Sequence, residues 1–419
     1  MKLSQTPMNL RHKQVSTLVL GLLLSAGAST SGSLADQRSG PIVIPFELAT
    51  RHILVKVTVN HSRPLTFILD TGAGSAIMRL DVANELGLKL EGNVNIGGAG
   101  EGSQSGKLVR GAAWSLVGLD GFSQPVTMAI PFNEAQAAMG RDVDGIIGGE
   151  FIRQFVVEID YQARQMTLHR PGSFEYKGDG QAIPLRFDVN RYPVLTATVT
   201  APGRQPIDRL FLFDIGSSAA LILHSPFVAE QDLLSTQART IQSIGGGGAG
   251  GKTNGDLGRV TSLQIGRFVF ENPITIFSRD KAGAFANPNR AGNIGAQIAM
   301  RFHLYLDYGR KQMIVEPSSR FADPFDRAFS GLAIRTTPPE YTTFKIIDVL
   351  NDSAASEAGV RSGDIITAID GRPAKDLTMT ILSEMLEKAV TYVITLRRGD
   401  QEVEVRLTPK RMVAPTPVS

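Results

Sequence analysis

The sequence has 419 residues, 42% of them hydrophobic, which is enough for two or three domains that each bury a core. It contains no cysteine, which excludes disulfide bonds, thiolate metal ligands, a cysteine nucleophile and a lipid-modified cysteine. The formal charge of +3 comes entirely from the first 35 residues, so the rest of the chain lacks the basic excess of a nucleic-acid-binding protein.

Residues 1–35 have the features of a signal peptide. Lys2, Arg11 and Lys13 precede an apolar stretch over residues 15–28, and small residues around Ala35 offer a cleavage site. An uncleaved membrane anchor remains the alternative, although the apolar stretch is shorter than the ~20 residues that span a bilayer. We therefore expect export to the bacterial envelope, as a periplasmic or secreted protein with no membrane span in the mature chain.

A first set of landmarks begins with two predicted strands, at residues 54–59 and 66–69. The second strand runs directly into Asp70-Thr71-Gly72-Ala73. A glycine-rich stretch follows at residues 96–100, and the set closes with Gly145-Ile146-Ile147-Gly148. Helical periodicity is confined to short pieces such as residues 80–86, which Gly87 should end.

The same landmarks recur later in the chain, in the same order and at closely similar separations. Predicted strands at residues 194–199 and 210–213 lead to Asp214-Ile215-Gly216-Ser217, a glycine-rich stretch covers residues 244–248, and Gly292-Asn293-Ile294-Gly295 closes the set. Such a duplication predicts two mainly β lobes, at residues 40–171 and 180–320, joined by a linker at residues 171–180.

The sequence pattern changes from mainly β to a mixture of strands and helices after these lobes. Residues 327–411 are predicted to form a separate domain of mixed α and β type. Its expected elements are a strand at residues 344–349, a helix at 353–358, a helix at 377–388, and strands at 392–397 and 403–407.

These motifs resemble two known families. The Asp-Thr-Gly triad after a hydrophobic strand, the Ile-Gly-Gly segment and the closing Gly-Ile-Ile-Gly are similar to a retropepsin/pepsin-like aspartic protease lobe, and the second set resembles a diverged copy of it. Residues 331–410 resemble the PDZ domains of bacterial envelope proteases, on the sequence SAASEAGVRSGDII at residues 353–366.

The resemblance implies two pseudo-twofold-related acid-protease β-barrel lobes plus a small α+β PDZ-like domain, acting as a monomeric aspartic endopeptidase. Two adjacent carboxyls cannot both ionise easily, so one proton is shared: the ionised member activates water and the protonated member polarises the substrate carbonyl. Asp70 and Asp214 are the catalytic candidates, acting on a peptide or protein substrate with no cofactor and no metal. The supporting candidates are Thr71, Gly72, Gly216 and Ser217 in the active-site loops, Gly97, Gly98, Gly100, Gly245 and Gly246 in mobile flaps, and Gly331, Leu332, Ala333 and Ile334 for binding a protein C-terminus.

The sequence departs from the family pattern in ways that bear on the site. Ile215 replaces the usual hydroxyl residue, so only Thr71 can tie the active-site loops with a side-chain hydrogen bond. Residues 149–150 and 296–297 lack the Arg and Asn or Asp that usually make contacts between lobes, so the interface must be held differently. Because Ser217 follows the second triad where Ala73 follows the first, we expect its hydroxyl to place the negative charge on Asp214 and the proton on Asp70.

A phosphate-binding loop is not expected, although one segment of the sequence has its pattern. Residues 246–253 satisfy the pattern of a phosphate-binding loop, which requires a helix to begin at Lys252. The Gly and Asn residues that follow do not favour a helix. The six histidines show no metal-ligand spacing and are interpreted as structural or surface residues.

Two alternatives remain open. The lobes could belong to a non-catalytic envelope peptide-binding or scaffold protein whose site has decayed at Ile215. A homodimer that pairs two first lobes could instead form an active site without Asp214.

Overall fold

The structure, a computed structural model, describes residues 40–243 and 246–414. The predicted signal peptide and the flap candidate Gly245 lie outside the described residues. The first lobe is built almost entirely of strands: β1 Ile42–Pro45, β2 Glu47–Ala49, β3 His52–Val59, β4 Leu65–Leu69, β5 Ala76–Arg79, β6 Lys89–Gly97, β7 Ser103–Arg110, β8 Trp114–Leu116, β9 Leu119–Phe122, β10 Thr127–Ile130, β11 Gly145–Ile147, β12 Val156–Asp160 and β13 Gln165–His169.

Three short helices interrupt these strands: α1 Leu80–Glu85, α2 Asn133–Met139 and α3 Gly149–Ile152. The predicted helix α1 is confirmed, and Gly87 follows it with a φ of 62°. Neither α2 nor α3 was expected from the sequence.

The second lobe has a similar content. Its strands are β14 Gln181–Pro184, β15 Arg186–Phe187, β16 Pro193–Thr200, β17 Ile207–Asp214, β18 Leu221–Leu223, β19 Ile241–Gln242, β20 Gly247–Gly248, β21 Gly251–Lys252, β22 Gly255–Arg259, β23 Ser262–Ile265, β24 Phe268–Glu271, β25 Ile274–Ser278, β26 Gly292–Gly295, β27 Phe302–Asp307 and β28 Gln312–Pro317. Its α-helices are α4 Ser225–Glu230 and α5 Ala296–Ala299.

The two lobes share one sheet topology. In the first, the strand order is β6-β7-β10-β5-β11-β4-β3-β8-β9, with β2 beside β3. In the second, it is β19-β22-β25-β18-β26-β17-β16-β23-β24, with β15 beside β16. Each strand of one order has a counterpart at the same place in the other, so the repeat seen in the sequence is a repeat of fold.

A third sheet joins the lobes. Its order is β1-β13-β12-β27-β28-β14, so each lobe supplies three strands, and β12 pairs with β27 across the boundary. On this sheet, Glu158 of β12 lies 2.7 Å from His169 in its own lobe and 2.8 Å from His303 in the other. This sheet is the interface that the sequence analysis left undefined.

The C-terminal region forms a smaller α+β unit. Its elements are β29 Leu332–Thr336, β30 Phe344–Val349, α6 Ala354–Glu357, β31 Ile365–Ile369, β32 Arg372–Pro373, α7 Met379–Leu386, β33 Tyr392–Arg398 and β34 Gln401–Leu407. Ser353 caps α6 through a reciprocal hydrogen-bond pair with Ser356, and Gly359 ends that helix with a φ of 78°. After this unit the chain returns to the second lobe, where the Val413 carbonyl accepts a 3.1 Å hydrogen bond from the buried Arg259.

The predicted fold class is confirmed: the chain is mainly β, with two lobes of repeated topology and a small α+β domain. The predicted strands over residues 54–59, 66–69, 194–199 and 210–213 each lie within an observed strand. No helix among the described residues is long and apolar enough to cross a membrane.

Candidate active site

The two aspartates lie at equivalent places in the two lobes. Asp70 directly follows β4, and Asp214 is the last residue of β17. Each strand pairs in parallel with the strand of the closing motif, β11 or β26, and the Asp70 N–H donates to the Ile147 carbonyl at 2.9 Å. The closing motifs therefore hold both aspartates at the ends of buried strands.

Glycine at two positions lets each carboxyl lie against the opposite loop. A Cβ added to Gly216 would fall 2.2 Å from Cγ of Asp70, and one added to Gly72 would fall 2.7 Å from Oδ1 of Asp214. Any side chain there would displace the facing carboxyl. The structure thus brings together four of the predicted site residues, Asp70, Asp214, Gly72 and Gly216.

The two carboxyls interact with each other, and their environments differ. Burial, followed by the negative charge of Asp214, raises the pKa of Asp70 well above its usual value. Burial also raises the pKa of Asp214, but a hydrogen bond from Asn293 opposes that effect most strongly. These environments favour the negative charge on Asp214 and the proton on Asp70.

The hydrogen bonds that favour the negative charge on Asp214 differ from the one expected. Nδ2 of Asn293 donates to Oδ2 of Asp214 at 2.7 Å, and the Gly216 N–H donates to Oδ1 at 3.1 Å. Ser217 contributes through its backbone N–H, and its hydroxyl is not among the donors that the described residues supply to Asp214. The expected role of the Ser217 hydroxyl is therefore wrong. Asn293 was missed, although its polar side chain at the position of Ile146 in the first copy was a signal.

Thr71 ties the two active-site loops together. Its hydroxyl donates to the Phe213 carbonyl at 2.6 Å and accepts from the Ile215 N–H at 3.0 Å, and its side chain is fully buried. Ile215 is also fully buried and packs in the main core. The two active-site loops are therefore joined by a hydroxyl of the first lobe, whereas the second lobe contributes the packing of Ile215.

Comparison with known proteins found matches to two domain families. Residues 55–151 match the family described as aspartyl protease, and residues 345–397 match the PDZ domain family. These matches identify an aspartyl protease-like domain and a PDZ domain in the chain.

Curated relatives include the proteins named serine protease HTRA1 from Xenopus laevis and Xenopus tropicalis. They are 32% and 27% identical over 79 residues, which are 19% of this chain and 17% of each relative. The match thus spans less than a fifth of the length of either relative.

Two solved structures are similar in part. The aspartic proteinase from Irpex lacteus has a TM-score of 0.47 and 12% identity, covering 68% of this chain and 99% of that one. The HtrA3 PDZ domain, solved with a phage-derived ligand, has a TM-score of 0.18 and 23% identity, covering 20% of this chain and 85% of that one.

The glycine-rich stretches of the protease lobes form two hairpins whose tips meet. The first is the β6–β7 hairpin, in which Gly97, Gly98 and Gly100 lie at the turn. The second carries β20 and β21 at its tip, just after Gly246. The Gly102 N–H donates to the Gly250 carbonyl at 2.8 Å, and the Gly250 N–H donates to the Ala99 carbonyl at 2.7 Å.

Only glycine fits at the centre of this contact. Gly100 has a φ of 92°, and a Cβ there would lie 2.6 Å from the backbone of Gly250. The phosphate-loop pattern falls in the same hairpin, where Lys252 ends strand β21 rather than beginning a helix. Across residues 40–243 and 246–414, no group of three or more His, Asp or Glu side chains could hold a metal ion.

In the PDZ domain, the residues predicted to bind a peptide lie at the start of an edge strand. Leu332, Ala333 and Ile334 belong to β29, which ends its sheet and pairs only with β30. Gly331 precedes it with a φ of 83°, where a Cβ would lie 2.2 Å from Ser353. By resemblance to PDZ domains, this strand edge and helix α7 are the elements expected to border a peptide groove.

Helix α2 of the first lobe contacts both sides of this groove. The Thr336 hydroxyl donates to the Ala137 carbonyl at 3.1 Å, and a Cβ on Gly140, just after α2, would lie 2.6 Å from that of Met379 in α7. These contacts lie at the end of β29 opposite Gly331. The protease lobe therefore closes one end of the groove.

Proposed function

We propose that this protein is an aspartic endopeptidase in which the two lobes of one chain form the active site. The observation that carries the proposal is the interacting pair of Asp70 and Asp214, each set against a glycine of the opposite loop. A pair with one proton and one charge has both groups that peptide hydrolysis requires.

In the proposed reaction, an extended peptide lies between the dyad and the hairpin tips. Ionised Asp214 takes a proton from a water molecule, whose oxygen attacks the scissile carbonyl carbon, while protonated Asp70 donates a hydrogen bond and then its proton to the carbonyl oxygen. The tetrahedral intermediate then collapses: ionised Asp70 takes a proton from one of the intermediate's hydroxyls, the C–N bond breaks, and the leaving nitrogen takes the proton that Asp214 removed from water, which restores the starting state of the pair. The hairpin tips must separate for the peptide to enter, because backbone hydrogen bonds join them.

The experiment is hydrolysis of a fluorogenic peptide library by the purified protein and by Asp70→Asn and Asp214→Asn, prepared identically. Both variants should lose at least ~1,000-fold in kcat/KM, because neither can hold one proton and one charge at the pair. A parent protein as inactive as its variants supports the scaffold alternative. Activity retained in Asp214→Asn supports a homodimer of first lobes.

We further propose that the PDZ groove binds the C-terminus of a substrate or partner protein as a strand added to β29. Four residues lie between Gly331, at the expected carboxylate end, and Thr336, which contacts α2, and this leaves room for about four peptide residues. Fluorescence anisotropy with labelled pentapeptides should detect binding for free carboxyl termini. Equal affinity for the same peptides with amidated termini would contradict this mode of binding.

Export to the bacterial envelope is also a proposal, supported by the charge and apolar pattern of residues 1–35. The N-terminal sequence of the mature protein, recovered from the periplasm of an expressing bacterium, tests it. Recovery of intact residue 1 from the cytoplasmic fraction alone refutes it.

A further inference from the structure

Two buried polar side chains, His224 and Asn293, connect in series to the dyad. Nε2 of His224 lies 2.9 Å from Oδ1 of Asn293, and Nδ2 of Asn293 donates to Oδ2 of Asp214 at 2.7 Å. His224 is 0% exposed and Asn293 is 4% exposed. Buried polar groups in a β core cost stability unless they are paired, so these hydrogen-bonded side chains call for an explanation beyond packing.

The first lobe has no counterpart to this series of hydrogen-bonded side chains. Asn293 faces Ile222 across the β18–β26 pair, and Ile146 faces Ile77 at the same register of the β5–β11 pair. An apolar side chain therefore stands in the first lobe where the second has an amide. This difference breaks the twofold symmetry of the dyad.

The orientation of the amide follows from its partner. Burial lowers the pKa of His224 to about 4, so the ring is neutral above that pH and carries one N–H. Nδ1 lies 3.2 Å from the Asn287 carbonyl, a longer contact than that of Nε2, and we assign the proton to Nε2. The Nε2–H then donates to Oδ1 of Asn293, which turns the NH₂ group toward Asp214.

We infer that His224 and Asn293 are positioning residues that hold the negative charge of the dyad on Asp214, which makes Asp214 the base and Asp70 the acid. This inference rests on the proposed peptidase function for its kinetic consequence, but the position of the charge can be measured without activity.

The other charged and titratable groups around Asp70 and Asp214 either favour the negative charge on Asp214 as well or affect both carboxyls. Arg290, in the loop before β26, is buried and interacts favourably with Asp214. Tyr192 faces both aspartates, and Tyr308 faces Asp70. Arg290 itself is shared, since it lies 3.7 Å from Asp188 and over the ring of Tyr192. Apart from the partner carboxyl, Asn293 is the one side chain among the described residues that donates a hydrogen bond selectively to one member of the pair.

The test compares pH profiles of kcat/KM for the full chain and for Asn293→Ile, which installs the residue of the first lobe. Loss of a hydrogen bond to a charged group should move the acidic limb upward by about one to two pH units, because Asp214 becomes harder to ionise. KM should change little, since neither residue is proposed to contact the substrate. Ile146→Val, which alters the equivalent position without adding or removing a donor, should keep the profile of the parent.

Two variants of His224 keep the inference testable if Asn293→Ile does not fold. His224→Leu removes the donor to the amide and should move the acidic limb in the same direction by a smaller amount, whereas His224→Gln offers a new N–H and should restore most of the parent profile. A merely structural role predicts lower stability without a shift of the limb.

A second readout separates this inference from the proposed function. Carbon-13 NMR of carboxyl-labelled aspartate follows the two dyad carboxyls directly, and the more acidic titration should move upward in Asn293→Ile and His224→Leu. An inactive parent refutes the peptidase but leaves this titration valid. Folded variants whose dyad titrates as in the parent overturn the inference.

Discussion

Replacing Thr71 tests how much the site depends on a single hydroxyl. In Thr71→Val, the shape of the side chain is kept while the Phe213 carbonyl and the Ile215 N–H lose their partner in a fully buried place. One buried backbone group left unpaired costs about 1–3 kcal/mol, and because these two belong to one loop we expect a combined loss of about 2–4 kcal/mol. Thr71→Ser keeps the hydroxyl and loses one methyl group, which should cost about 1 kcal/mol.

The assay uses Trp114, the only tryptophan of the chain, which is buried in the first lobe. Urea unfolding followed by its fluorescence should rank the parent first, Thr71→Ser close behind and Thr71→Val last. If the proposed function holds, kcat/KM should fall about 10–100-fold in Thr71→Val, since the loops no longer fix the dyad. Equal stability of the two variants would refute the bridging role of the hydroxyl.

Further predictions concern the dyad and the sheet that joins the lobes. Gly216→Ala should abolish peptide hydrolysis because its Cβ would overlap the Asp70 carboxyl, whereas Gly172→Ala, with no atom within 4 Å of the new methyl, should leave the rate unchanged. Because the folded state raises the pKa of Asp70, its contribution to stability is present at acid pH and is lost as pH rises through that pKa, so Asp70→Asn should be more stable than the parent at neutral pH and similar near pH 3 in urea titrations. Glu158 raises the pKa of His303, so that pair stabilises the fold at low pH and loses its effect as pH rises through the histidine pKa; the stability difference between the parent and His303→Gln should therefore shrink between pH 6 and 8. A constant difference over that range would remove the ion pair as its cause.

The parts of the site that follow from local sequence could be predicted. Asp70 and Asp214 stand at the ends of hydrophobic strands within glycine-containing triads, and the duplication fixed their equivalence. Asn293 stands in a motif whose first copy is wholly apolar at that point, but the meaning of the difference needs the distance to Asp214, which no local pattern contains. His224 was interpreted as a structural histidine, and its contact with Asn293 joins residues far apart in the sequence.

The rest of the fold depends on long-range pairing. The contact of β12 with β27 joins strands from different lobes, and the sequence offers no signal for it because both strands read as ordinary buried strands. Helix α2 is only seven residues long, and its role becomes visible only when Gly140 is found against Met379. These features arise from packing between segments that do not neighbour each other along the chain.

The sheet shared by the lobes has a consequence for how such a molecule can be assembled. Each lobe contributes its first strand and its last two strands to this sheet. The boundary between the lobes is an ordinary antiparallel pair, held by backbone hydrogen bonds that do not depend on a peptide link between the halves. A polypeptide cut between β13 and β14 should therefore reassociate from its two fragments, since each fragment presents the edge strand that the other lacks. The peptide link between the lobes keeps them in equal amounts and raises their effective concentration. The geometry of their junction depends on the strands that pair there.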